Sequence, residues 1–181
     1  MKTTIATSKG TARLTKCTSA GDAEKQALAQ SYRLSAAAGG NEYGSNTYQD
    51  AYGNYYIVDP YTQNSHDQID FGGTDSQING LTLVGLVHDH FGYEDRSTNP
   101  PTFTDYDVSN WSANSPDDTT HTHFSVGDEN VSEYYGVPIL VILGNVNESF
   151  TWTPPAKDAN GAFDLTAPDQ SLGKVDQNFT C

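Results

Sequence analysis

Two histidines one residue apart, His88 and His90, stand at the end of the apolar run Leu81 to Val87. Strand side chains alternate with a period of two, so both imidazoles are expected on one face at the strand's carboxyl end. Imidazoles so paired can hold a single divalent ion, and their nitrogens suit zinc. A carboxylate would complete a three-ligand set. Asp128 opens a predicted helix three residues after the hydroxyl of Ser125. Two histidines and one aspartate leave the fourth position to water, which separates a catalytic zinc site from a closed structural one. Asp107, in Phe103-Thr104-Asp105-Tyr106-Asp107, repeats the hydroxyl-x-x-Asp spacing and stays open as the alternative third ligand.

Glu42 supplies a carboxylate with no basic neighbour in sequence. Beside a metal that lowers the pKa of its water to about 7, such a group can accept a proton and pass it to a leaving group. The Ser125 hydroxyl is expected to donate to the developing oxyanion. His121 and His123 repeat the His-x-His spacing, but no apolar strand precedes them. They are expected in a solvated loop, with a rim or lid ligand as their sharpest role. Plainer readings stand beside these: an exposed strand glutamate for Glu42, and an N-cap with its first-turn acid for Ser125 and Asp128.

The elements that must position these groups follow from pattern. Ser19 can cap a helix from about Asp22 to Ala38, with Ala23, Ala27, Leu34 and Ala38 on one face, small Ser31 between them, and Gly39-Gly40 as terminator. Glu42 follows at once and leads into a hairpin, with a turn over Asp50 to Asn54 and a strand over Tyr55 to Val58. Leu81 to Val87 and Val137 to Leu143 are runs of the kind found in strands buried on both faces, which points to a layered α/β fold with helices. A helix from Ser125 to Tyr135, ended by Gly136, leads into the second run, and Ser149 to Thr153 reads as its partner strand. Segments 59–79 and 91–124 are polar and irregular, and are expected to be a loop or lid and an insertion.

Composition narrows the partners. The chain carries 9 Lys and Arg against 23 Asp and Glu, a net charge of −14 spread along its 181 residues. Nucleic-acid binding relies on basic clusters that release counterions, and none is present, so no nucleic-acid partner is expected. No stretch approaches the roughly 18 apolar residues needed to span a bilayer, so no membrane partner is expected either. The start, MKTTIATSKG, has no apolar h-region, so the expectation is a soluble chain without a cleavable signal peptide. Cys17 and Cys181 are the two cysteines, and sequence alone leaves open whether they pair.

The ordered motifs Glu42-Tyr43-Gly44, His88-Asp89-His90, Phe124-Ser125-Val126-Gly127-Asp128 and Gly136-Val137-Pro138 resemble the JAB/MPN (JAMM) metalloprotease pattern. They are closer still to an uncharacterised bacterial domain found at the C-termini of Rhs-type and other polymorphic toxins. The resemblance implies an α/β fold of JAB/MPN, cytidine-deaminase-like type: a mixed sheet flanked by helices in three layers. It covers the domain at 19–153, with a long insertion at 91–124; residues 1–18, polar and aperiodic, are expected as an N-terminal arm or an early strand, and 154–181 as an extended C-terminal tail. It implies zinc held by His88, His90 and Asp128, with Glu42 as base and Ser125 as oxyanion helper. The activity implied is hydrolysis of a peptide or isopeptide bond by a secreted or delivered bacterial effector, with a peptide or protein substrate and a cognate immunity or carrier protein. The rival expectation is a catalytically inactive binding module that recognises a partner through the 59–79 and 91–124 loops. A third is hydrolysis of a non-peptide substrate at the same site.

Overall fold

The computed structural model describes residues 2–8, 10–65, 68–90, 92–95, 102–105, 123–144, 147–161 and 167–181. The longest strand, β6 (Leu81–His90), lies between β3 (Gly44–Gln49), antiparallel to it, and β9 (Ile139–Leu143), parallel to it. Around this centre runs a mixed sheet in the order β1-β2-β4-β3-β6-β9-β10-β11, with β5 (Gln77–Ile78) also paired to β6. The outer strands are β1 (Lys2–Thr7), β2 (Gly10–Cys17), β4 (Tyr55–Val58), β10 (Glu148–Trp152) and β11 (Gln170–Lys174). The chain is therefore α/β with a mixed sheet. All five residues of β9 are buried, as its unbroken apolar run requires of a strand covered on both faces.

Helix α1 (Ala20–Ala37) covers one face, capped by Ser19, whose side chain accepts from the Asp22 N–H. Its buried stripe is Ala23, Ala27, Ser31 and Ser35, flanked by Gln26, Leu28 and Ala29. The expected Leu34 is 38 % exposed. Small residues at a spacing of four bring the helix close to the sheet, where it packs with Ile57, Val87, Leu140 and Ile142. Helix α2 (Val126–Tyr135) borders the opposite face, where Val131 and Tyr135 pack on a core of Tyr48, Leu86, Val141, Phe150 and Trp152.

The N-terminal segment, expected as an arm or an early strand, is a hairpin of β1 and β2, and β2 joins the sheet through β4. Part of the expected 91–124 loop is also regular: β7 (Gly92–Asp95) pairs with β8 (Thr102–Asp105) as a separate two-stranded sheet. The C-terminal tail contributes β11 to the sheet edge. It then buries Val175 and ends in a disulfide between Cys181 and Cys17, with Cα atoms 5.1 Å apart. That bond settles the pairing left open by sequence. No helix among the described residues is long and apolar enough to cross a membrane.

Candidate metal centre

A bulge aims the two histidines. Along β3 and β6 the partners run Thr47 to Gly85 and then Tyr48 to Leu83, so β6 carries one extra residue at this point. The extra residue reverses the phase of the strand. Leu83 before it and Leu86 and His88 after it consequently face the same side, towards the α2 core. Glycine at 85 permits this, since a Cβ there would stand 2.6 Å from the Thr47 hydroxyl. The same face needs glycine at 44, directly across from His88, because a Cβ would meet Ile69 at 2.7 Å. Ile69 and Phe71 can thus close over the site, with the Phe71 ring edge-on to His88 at 6.0 Å.

Asp128 reaches the histidines from the first turn of α2. Its backbone N–H donates to Ser125 Oγ at 3.1 Å, while its Oδ2 accepts from the Ser125 N–H and hydroxyl, each at 2.9 Å. This capping box fixes one carboxylate oxygen and leaves Oδ1 facing His88 Nε2 at 3.3 Å. The Ser125 hydroxyl proton is engaged by Asp128 in this arrangement. Asp107, the alternative ligand, lies outside the described residues, as does His121.

His88, His90 and Asp128 form a cluster able to hold a metal ion. The two Nε2 atoms are 3.0 Å apart, and His90 Nε2 lies 3.7 Å from Asp128 Oδ2. A tetrahedral ion with bonds of about 2.0–2.1 Å separates its ligand atoms by roughly 3.3 Å. The 3.0 Å between the two Nε2 atoms and the 3.3 Å from His88 Nε2 to Asp128 Oδ1 lie near that value, and one ligand atom from each residue falls within 4.8 Å of the others, so the donor set can close on a zinc-sized ion.

Electrostatics point the same way. Burial would raise the Asp128 carboxyl, but the charge and hydrogen bond of His88, then His90, hold it well below the usual carboxylate range. Burial opposes charge on His88, and Asp128 outweighs that, so its pKa rises. Burial and then the neighbouring His88 charge pull His90 down to about 3. The three shifts favour negative charge on Asp128, positive charge on His88 and a neutral ring at His90.

Glu42 lies just before β3. Continuing the β3–β6 register two residues beyond the Gly44–His88 pair places it opposite His90, and its Oε1 is 4.0 Å from His90 Nε2. It is 6 % exposed, so the exposed-strand reading does not describe it. Its backbone N–H donates to the Ser65 carbonyl at 2.7 Å.

Sequence reasoning passed over Asp89, which faces α1 and is fully buried. Its Oδ2 accepts from the Tyr43 N–H at 3.1 Å, and its Oδ1 is 2.5 Å from Ser35 Oγ. Ser35 Oγ also lies 2.6 Å from the Asn41 carbonyl oxygen. A hydroxyl has one proton and a carbonyl only accepts, so both contacts are hydrogen bonds when Asp89 is a carboxylic acid donating to Ser35. Burial, only partly offset by the Ser35 and Tyr43 hydrogen bonds, pushes Asp89 up to about 7, in agreement. The acid ties the chain on both sides of Glu42 to α1 and β6. Its one sequence signal is its position between two candidate ligands.

An acid whose folded value exceeds its ordinary 3.8 contributes stability that is complete below that value and is lost as pH rises through about 7. Asp89→Asn, which mimics the protonated acid, should therefore gain on wild type by about 1.4 kcal/mol per pH unit as pH rises from about 4 towards 7, and by nothing further above it. Urea melts of metal-free protein at pH 5.5 and 8.5 read the difference. A constant difference across that range would contradict a neutral Asp89.

A further pair missed as such is His123 with Asp169. Asp169 Oδ2 accepts from the His123 Nδ1–H at 2.7 Å and from its backbone N–H at 2.8 Å. No known protein family, curated protein or solved structure matches the chain.

Proposed function

We propose that the protein is a zinc-dependent hydrolase of peptidase or isopeptidase type, built on a JAB/MPN-like fold and used as a bacterial effector or toxin domain. The observation that carries this reading is the convergence of His88, His90 and Asp128 with the carboxylate of Glu42 on one rim of the cluster. Bound zinc would polarise the substrate carbonyl and supply an activated water. Glu42 is placed to take the proton of the attacking water. Asp128 is held by the Ser125 capping box, so the ligand keeps its orientation while one oxygen faces the ion. In this reading the Ser125 hydroxyl, which donates to Asp128 Oδ2, would serve the oxyanion by turning towards it. Phe71, Phe124 and Ile69 dry the floor of the site and strengthen its electrostatics.

The Cys17–Cys181 disulfide supports the delivered-effector context, since such bonds persist in oxidising compartments. A peptide or protein substrate, and a cognate immunity or carrier protein, belong to the same proposal.

The test separates chemistry from metal retention. Glu42→Gln should keep zinc, being no ligand, and lower zinc-dependent hydrolysis by about 10²-fold or more. Zinc content by elemental analysis and turnover of a peptide library, with phenyl acetates as generic acyl substrates, read the two quantities. Zinc-loaded wild type that cleaves none of these would favour the binding-module alternative. A Glu42→Gln variant of full activity would remove Glu42 from the mechanism.

A further inference from the structure

Rows of the sheet locate His123. Gly44, His88, Val141, Phe150 and Ser171 are successive register partners across β3, β6, β9, β10 and β11. Residues so paired point to one face, which places Phe150 two strands from His88, about 10 Å away. The His123 ring stacks on Phe150 with centroids 3.6 Å apart and planes 13° from parallel. It therefore lies above the same face as the metal cluster, on the flank opposite β3 and Glu42. The next residue, Phe124, packs against His88 at 6.3 Å, and the His123 charge is among those felt by His90.

Asp169 fixes the chemistry of the ring. A carboxylate only accepts, so the 2.7 Å bond requires the proton of the neutral imidazole to sit on Nδ1 and leaves the lone pair on Nε2. The stack on Phe150 and the Nδ1 bond hold the ring, and the bond from the backbone N–H holds the carboxylate that orients it. The side chain nonetheless stays 22 % exposed. A pure packing role needs no carboxylate on Nδ1.

We propose that His123, oriented by Asp169, is a second proton-handling group of the site, serving the leaving group on the flank opposite Glu42. The proposal rests on the hydrolase reading above. In hydrolysis the water oxygen bonds to the acyl carbon and the bond from that carbon to the leaving group breaks. Glu42 takes one proton from the water. His123, held by Asp169 and carrying on Nε2 a proton taken from solvent, gives that proton to the departing atom. Solvent then removes the proton from Glu42 and restores the one on His123, so the net reaction consumes one water.

Two readouts test this. Long-range proton–nitrogen NMR of the metal-free protein, at a pH where the ring is neutral, should find the proton on Nδ1, and Asp169→Asn should erode that preference. An Nε2–H tautomer in the wild type overturns the proposal. Zinc-loaded protein should also be assayed on 4-nitrophenyl, 4-chlorophenyl and phenyl acetates. In His123→Gln the loss should grow with leaving-group pKa, from a fewfold for nitrophenyl to about 10²-fold for phenyl acetate. A uniform loss, or none, overturns the proposal while leaving the hydrolase reading intact. Absence of zinc-dependent turnover in wild type would overturn the hydrolase reading itself, and the leaving-group role with it, whatever the tautomer.

Discussion

Replacing His88 with asparagine or alanine should weaken zinc binding by about 10³-fold or more, because two ligands cannot hold a tetrahedral ion as three do. His88 is the deepest of the three, with no exposed surface, and its ring is in contact with both other ligands. The asparagine variant keeps more of the buried volume and guards against simple unfolding. Wild type should gain roughly 4 kcal/mol of stability at a free zinc concentration of 1,000 times Kd, whereas the variant should gain almost nothing at that concentration. The pH dependence makes the prediction sharper. The shifts favour an ionised Asp128 and a neutral His90 and raise His88, so His88 is the group expected to surrender a proton to the incoming ion. Zinc affinity should rise about tenfold per pH unit until the folded-state pKa of His88 is passed, and should level off above it. Chelator competition at a series of pH values measures the slope. Zinc retained at full stoichiometry in a His88→Ala, His90→Ala double variant would place the metal elsewhere.

The residues of the candidate centre were legible because they rest on short-range rules. His-x-His at a strand end and Ser-x-x-Asp at a helix start are each set by local geometry, and Ser125 and Gly136 bound α2 as their types predict. What aims them was not legible. In unbroken alternation Leu81, Leu83 and Val87 would share a face and the histidines would occupy the other; the bulge before Gly85 puts His88 with Leu83 instead. That extra residue shows only in the pairing with Thr47 and Tyr48, which are distant in sequence. The α1 stripe shifted from Leu34 towards Ser35 for a related reason, since Ser35 has a partner in Asp89 that only the tertiary fold supplies. Strand β1 is mostly exposed and held by its ladder to β2, so no apolar period announced it. His123 and Asp169 are 46 residues apart, beyond any spacing rule.

Removing the Cys17–Cys181 bond should cost the protein about 3–5 kcal/mol. The bond spans 164 residues, and closing a loop of that length in the unfolded chain accounts for about 5 kcal/mol in the chain-entropy picture, an upper figure since real unfolded ensembles are already compact. Cys17→Ser/Cys181→Ser, or wild type in reductant, should therefore unfold at lower urea, with a slope equal to or slightly steeper than that of the bonded protein. The native tail retains other anchors: β11 on β10, buried Val175, the Arg33 guanidinium donating to the Gln177 carbonyl, and the Cys181 N–H donating to Gln26. The effect should thus fall on the unfolded state far more than on the native one. Zinc affinity should change by less than about threefold, because none of the ligands lies near Cys17 and Asp169 precedes β11 on the far side of those anchors. A loss below about 1 kcal/mol would mean the anchors alone hold the tail. A parallel collapse of zinc affinity would mean that the tether, through β11 and Asp169, helps to shape the metal centre itself.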